Sequence, residues 1–452
     1  MDEIRVLSPT AILGYGFPEE SFREGMKRNP HVIAVDAGST DPGPYYLGAG
    51  ISFTDRNAVK RDLSIMIPAA LEAKIPVIIG TAGGCGGHPH VAITVDIIKE
   101  IAAEKNIKFK MAVLESEFDK EYIKEKLRKG DITPLHPAKE IDETDVEQAV
   151  RIVAQMGDEP YINALNEGAQ VILAGRSYDP SVFSALAIRE GFDKGLAIHM
   201  GKILECAAIT CMPGSGSDCM FGYLRKDSFV LEPLSTLRKC TTLSVAAHTL
   251  YEKTNPYLLP GPGGAIDLHN STFTQITDNM VEVKGSKFVP TEDYYVKLEG
   301  VRKVGYRTIS PAAAKDPVMI ANIDTIVEKV KERVVNNFEN FGLIDFFLDF
   351  KIYGKKGVMH MFPNTPESHS DELMIIIEAV APTQEQANTI CSFARSTMLH
   401  YGYEGRISTA GNLAFPFSPS DCKVGEVYEF NIYHLMKVDD PVSLFPVTYM
   451  DI

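Results

Sequence analysis

The sequence predicts an α/β fold in two parts: an N-terminal, mostly parallel, Rossmann-like sheet with helices on both faces, and a smaller C-terminal α+β domain of ferredoxin-like order. Three observations predict it. Short apolar runs alternate with segments of helical period through the first half of the chain. These runs are apolar at successive positions, as strands covered on both faces are. Beyond residue 285 the order becomes strand–helix–strand–strand–helix–strand, the split βαβ pattern. The boundary is therefore placed there, giving domains 1–285 and 286–452. A length of 452 residues suits two domains.

The elements follow in order. IRVL (4–7) is a short apolar run, Glu19 to Lys27 is mixed, and HVIAVD (31–36) is a strand. Val59, Leu63, Ile67 and Leu71 mark a helix over 56–73. IPVIIG (75–80) is a strand and 90–105 a helix; FKMAVLES (109–116) is a strand and 118–129 a charged helix. VEQAVRIVAQM (146–156) reads as amphipathic, VILAGR (171–176) as a strand and 181–191 as a helix. Thr272–Glu282 and Lys287–Thr291 look like antiparallel pieces around Asp278–Asn279 and Gly285. The C-terminal elements are placed at 293–309, 317–338, 345–353, 372–381, 383–400 and 426–433. Ile320, Ile323, Val327, Val330 and Val334 share one face of the first helix there. Thr383, with Glu385 in the first turn, caps the second.

Composition excludes several classes of function. Hydrophobic residues at 45% and charged residues at 23% allow a large core and argue against disorder. A formal net charge of −15 argues against nucleic acid and anionic membranes as partners, because phosphate recognition needs a dense basic surface. A local pocket can still be positive. The start, MDEIRVLSPTAILG, lacks a basic signal-peptide region, and no stretch approaches the roughly 20 apolar residues that span a bilayer. Seven scattered cysteines, an odd number with no CxxC pair, read as reduced thiols. A cytoplasmic protein is the expectation.

Four segments carry candidate chemistry, each just after a strand, where open α/β sheets place their ligands. In VDAGSTDPGPYYLGAG (35–50), Asp36, Ser39, Thr40 and Asp41 can reach a substrate or cation, or simply form a long capped turn. In IIGTAGGCGGHPHVAI, Gly80, Gly83, Gly84, Cys85, Gly86 and Gly87 lead into a helix N-terminus, an expected anion site for a carboxylate, phosphate or CoA group. No Gly-Lys-Ser/Thr or GxGxxG is present, so no nucleotide cofactor is expected. His88 and His90, with Asp36, are an alternative metal set, although two histidines do not complete a site. Cys85 is a nucleophile or a small buried residue.

The third segment is LAGRSYDPS with HMGKILECAAITCMPGSGSD. Arg176 suits a carboxylate, and Asp179 is a ligand contact or a helix cap. A helix over 198–209 brings His199, Lys202 and Cys206 to nearly one face with Glu205 beside them, a set suited to proton transfer next to a carbonyl. Ser215 belongs to a second candidate anion nest, Gly214 to Asp218. In the fourth segment, Ser244, His248 and Tyr251 share a helical face near Glu252. No GxSxG elbow surrounds Ser244, so His248 is read as an acid–base or hydrogen-bonding residue. GPGG (261–264) is a turn that could line the same cleft.

AVDAGSTDPGPYYLG, GTAGGCGG, LAGRSYDP, HMGKILECAA, SVAAHTLYEK and LPGPGG, with TAGNLAFPFSPSD (409–421), resemble the acyclic terpene utilisation (AtuA) family. The family pattern supplies no catalytic roles to carry over. Some relatives end in an ARSGDKGD-like motif that is missing here, which implies a separate small partner subunit. The resemblance implies a catabolic enzyme handling branched or unsaturated carboxylic acids or their CoA thioesters. The expected chemistry is that of a lyase or hydratase, or an isomerase, in a homo-oligomer. Arg176 and the Gly80–Gly87 loop would bind the acid, and Lys202, Glu205, His199 and His248 would manage protons. A metal-dependent hydrolase and a non-catalytic subunit of a two-component enzyme are the alternatives.

Overall fold

The structure is a computed structural model and describes residues 1–251, 254–340, 342, 345–355, 357–358, 370–407 and 410–452. The chain divides into two units, Met1–Arg302 together with Phe430–Ile452, and Lys303–Glu429.

In the first unit the apolar runs become five parallel strands, ordered Ile4–Ser8, Val32–Asp36, Val77–Gly80, Val171–Ala174 and Lys110–Leu114. Every residue of Val32–Asp36, Val77–Gly80 and Val171–Ala174 is buried, because both faces are covered. Alternation of side chains sorts the strands into two cores. Val6, Val32, Ala34, Ile78 and Ile172 face Phe183 and Met200 of the helices Ser181–Arg189 and Lys194–Leu204. Leu7, Ile33, Val35, Ile79 and Leu173 face Leu63 and Ile67 of Arg56–Ala73 and Ile98 of His88–Lys105.

The parallel strands are flanked on both sides by antiparallel ones. Met220–Leu224, Ser228–Pro233, Val281–Lys284 and Thr272–Gln275 extend one side, and Val447–Asp451 the other, all antiparallel to their neighbours. The ten-stranded sheet is therefore mixed rather than mostly parallel. The link 225–227 shows why: a parallel return needs a crossover of a dozen residues or more, and a link this short permits only a hairpin. Leu258–Gly261, Gly264–Asp267 and Lys287–Pro290 make a separate antiparallel sheet.

Residues 146–156 do not stay helical. The helix Glu143–Gln148 gives way to the strand Ala149–Ala154, which pairs antiparallel with the start of Tyr294–Ala314, Ala154 opposite Leu298. Val150, Ile152 and Val153 suit a strand, and the partner decides between two readings of one apolar pattern.

The second unit has mixed α/β structure. Leu373–Ala381 lies between Phe347–Tyr353 and the later part of Tyr294–Ala314, antiparallel to both, with Cys422–Val438 beyond the latter. Val330 and Val334 of Ile323–Glu339, and Ile390 and Ala394 of Gln384–Leu399, pack on Ile375 and Ile377. Thr383 caps the latter helix by accepting from the Gln386 amide at 3.2 Å. The expected 317–338 helix is broken at Asn322 into Pro317–Ala321 and Ile323–Glu339. Among the described residues no helix is long and apolar enough to cross a membrane.

The turn after Val77–Gly80 is closely packed. Gly86 has φ 70°, and a Cβ there would lie 2.0 Å from the Arg176 amide nitrogen. Gly86→Ala is expected to cost about 2–5 kcal/mol, the sum of the left-handed backbone penalty and overpacking. Gly168 has φ 77° with open space around it, so Gly168→Ala should cost only about 1–2 kcal/mol. Urea denaturation of the two variants checks this, and equal losses would contradict the role given to the close approach.

Candidate functional site

The strands Ile4–Ser8, Val32–Asp36 and Val171–Ala174 run at their carboxyl ends into loops that border one cavity of about 500 Å³. Its lining includes Ala11 and Ile12 after the first strand, Asp36, Gly38, Ser39 and Asp41 at the second, and Arg176, Tyr178 and Asp179 after the third. Lys202, Glu205 and Cys206 come from the end of the helix Lys194–Leu204 and just beyond, Tyr251 from the end of Thr242–Leu250, and Lys297 from Tyr294–Ala314. Both the size and the position at the carboxyl edge of the sheet suit a small-molecule site.

Arg176 organises one wall. Its side chain is 2% exposed, and its Nε donates to Glu299 at 2.7 Å. Nη1 donates to Asp179 at 2.9 Å and to the Ser177 carbonyl at 2.7 Å. Glu299 is fully buried and also meets Lys297 Nζ at 2.7 Å. Burial alone would raise the Glu299 pKa, but Arg176 and Lys297 outweigh it and hold the carboxyl at about 2. Nη2 of Arg176 makes no hydrogen bond within the chain among the described residues, which leaves one arm of the fork available to an anionic group.

Asp36 behaves in the opposite way. Oδ2 accepts from the Gly38 amide at 3.0 Å, while the buried Oδ1 has no partner among the described residues. Burial, and then the charge of Asp179, push its pKa well above the usual carboxylate range, against the pull of Arg176. Asp179 is raised too, by burial opposed by Arg176. Burial thus favours the protonated form of Asp36 in a cavity that also contains ionised partners, a combination used for general acid catalysis.

Lys202 is buried, with Nζ 2.7 Å from Glu205 and 5.1 Å from the centre of the Tyr251 ring. Cys206 Sγ lies 3.7 Å from the Tyr251 hydroxyl. The helix ends at Leu204, so Cys206 reaches the cavity from beyond it and not from the expected continuous helical face. His199 is absent from the lining. Its two ring nitrogens bond to Ser286 at 3.0 Å and Thr249 at 3.1 Å, and burial with the charge of Lys202 lowers its pKa to about 3. It is a neutral imidazole that ties its helix to Thr242–Leu250 and to the link at Ser286. His248 also stands behind the lining, its ring 4.8 Å from that of Tyr251. Glu252 lies outside the described residues.

The glycine turn 80–87 does not line the cavity. The helix N-terminus expected to take an anion is occupied from within: the His88 amide donates to Glu117 at 2.6 Å. The glycines serve contact between loops, with Gly86 against Gly175–Arg176 and Gly38 against Gly84. Gly83 and Gly84 carry positive φ, and a Cβ on Gly87 would lie 2.9 Å from Glu117. Cys85 is buried, and burial pushes its thiol up to about 12, which removes it as a nucleophile at neutral pH. Ser39 lines the cavity, whereas Thr40 is buried away from it.

The alternative metal set is dispersed. His88 faces Glu115 and Glu117 at 3.6 and 3.7 Å, and His90 contacts the Tyr46 and Ile51 carbonyls at 3.1 Å. No cluster of three or more metal-binding side chains occurs among the described residues. The Gly214–Asp218 run is also turned inward: Ser215 accepts from the Ser217 amide, and Gly216 accepts from Thr10 and Ala11.

The lining also holds residues that sequence reasoning did not single out, namely Tyr178, Gln155, Lys297 and Tyr433, with Glu299 behind them. Lys297 and Glu299 sit at alternate positions of a strand whose other face is Val296 and Leu298. That pattern is the same as for a half-exposed strand, so only the partner Arg176 distinguishes them.

The family model described as acyclic terpene utilisation family protein AtuA matches residues 55–215 and 228–415. Searches of the curated proteins and of the solved structures found no match. The matched segments cover most of the chain and include Arg176, Asp179, Lys202, Glu205 and Glu299, while Asp36 precedes them. The chain therefore belongs to the acyclic terpene utilisation (AtuA) family, which is implicated in a catabolic role.

Proposed function

We propose that this protein is a lyase of the hydratase type, or an isomerase, acting on a small branched or unsaturated carboxylic acid or its thioester. The observation that carries the reading is Asp36, a buried carboxyl with a raised pKa and an unpartnered Oδ1 beside the cations of one cavity. The free arm of Arg176 would hold the substrate's carboxylate or carbonyl end. Ile12, Phe53, Ile209 and Leu259 offer its hydrocarbon part an apolar surface.

In dehydration, Glu205 would take the proton from the carbon next to the carbonyl. Lys202 would stabilise the negative charge that develops on the oxygen. Asp36 would give its proton to the departing hydroxyl, which leaves as water, and hydration is the reverse. Isomerisation uses the same base and acid on two carbons of the allylic system. Among the readings drawn from sequence this one uses the groups that the cavity contains; the metal-dependent alternative has no cluster to draw on among the described residues.

The assay follows the absorbance of a conjugated double bond on offering branched 2,3-unsaturated acids and their thioesters. Turnover by the isolated chain is expected, with Asp36→Asn and Glu205→Gln each lowering kcat by about 10²–10⁴-fold. Wild-type turnover in both variants would remove the assignment. Turnover that appears only with a second polypeptide would favour a non-catalytic subunit.

A stability measurement tests Asp36 independently. Its folded pKa lies above the unfolded value of about 3.9. The stability due to its proton is complete below that value and is lost as pH rises through the folded pKa. Asn does not titrate. Asp36→Asn should therefore become progressively more stable than wild type from about pH 4 upward, by at most about 1.4 kcal/mol per pH unit. Urea denaturation at several pH values reads the difference, and a pH-independent gap would refute the raised pKa.

A further inference from the structure

The segment LPGPGG, residues 259–264, makes the turn between Leu258–Gly261 and Gly264–Asp267, and beyond the apolar contact of Leu259 the chemistry above gives it no task. Its Gly261 has no left-handed backbone that would call for glycine. What it has is a neighbour. A Cβ at 261 would lie 2.7 Å from Tyr178 Cζ and 3.0 Å from the Tyr178 hydroxyl oxygen. The turn backbone therefore rests directly on the phenol end of Tyr178. The ring packs besides against the buried cluster of Ile198, Leu259, Ile266 and Leu268.

Tyr178 lines the same cavity as Arg176, Lys202 and Asp36. Its hydroxyl makes no hydrogen bond within the chain among the described residues. Tyr178 is half-buried, so a phenol whose ring is fixed on several sides and whose hydroxyl has no partner within the chain is a donor available to a ligand in the cavity. Burial keeps this hydroxyl protonated, well above its ordinary range, so it donates without carrying charge.

We propose that the Tyr178 hydroxyl, aimed by Gly261, donates a hydrogen bond to the substrate's carbonyl oxygen as negative charge develops on it. Gly261 is the positioning residue: its missing side chain is the space in which the phenol end sits. The inference rests on the lyase or isomerase reading above. Tyr178 and Lys202 then form a two-donor oxyanion site, one neutral and one charged, on a carbonyl compound.

The test compares Tyr178→Phe, Gly261→Ala and the double variant. The probes are 3-methylbut-2-enoate and its N-acetylcysteamine thioester, with turnover and calorimetric binding both measured. Tyr178→Phe removes only the hydroxyl and should lower kcat about 10²-fold with KM little changed. Gly261→Ala should give a similar loss by displacing the phenol. The double variant should be no worse than Tyr178→Phe alone, because both changes remove one contact. Wild-type kcat in Tyr178→Phe, or losses that multiply in the double variant, would overturn the proposal. Binding separates the two claims. If wild type binds a probe without turning it over, and Tyr178→Phe binds it up to about tenfold more weakly, the reaction is wrong and Tyr178 stands. Equal affinity of wild type and Tyr178→Phe without turnover overturns both, as does no binding by wild type.

Discussion

The ion pair between Arg176 and Glu299 is the constraint on which the site depends. Both groups are almost completely removed from water, and they come from segments 123 residues apart in sequence. An unpaired buried charge is costly, so removing either side chain leaves the other short of its closest counter-charge. Folding the carboxyl end of Val171–Ala174 and folding the start of Tyr294–Ala314 are in this sense one event. Lys297 and Asp179 complete the pairing and fix the width of the cavity wall. The close approach of Gly86 to the Arg176 backbone belongs to the same arrangement, because it seats the loop from which the guanidinium projects.

The parts legible in the sequence are those where local chemistry and local geometry agree. Apolar runs such as HVIAVD and VILAGR end in Asp36 and Arg176, and strand ends of an α/β sheet are where ligands go. Lys202 and Glu205 could be found because a helix end rich in ionisable groups is unusual beside an apolar core. Lys297 and Glu299 could not, since an alternating charged and apolar strand looks the same whether its polar face meets water or a buried arginine. The return of residues 430–452 to the first unit, with Val447–Asp451 pairing on Lys110–Leu114, is likewise a long-range pairing with no local mark.

The glycine turn teaches a different lesson. Its richness in glycine was rightly a sign of close approach, but sequence does not say what approaches. Here it is the backbone of residues 175–176, and the helix N-terminus beyond is already matched by Glu117. His199 is similar: helical spacing places it near Lys202, yet its ring turns to Ser286 and Thr249. Spacing along a helix fixes which residues share a side. The identity of the neighbour is set by tertiary packing.

The charges around the cavity explain why Asp36 differs from the carboxylates beside it. Among the described residues Arg176 and Lys297 are matched by Glu299 and Asp179, and Lys202 is matched by Glu205. Asp36 is the buried carboxyl of this wall with no ion pair of its own among the described residues, and burial raises its pKa. In the proposed reading, an anionic substrate at Arg176 would add negative charge close to Asp36. By linkage, the ligand then raises the Asp36 pKa further, and the proton in turn strengthens binding of the ligand. In the proposed reading a carboxylate substrate would thus hold in place the proton that its own conversion requires.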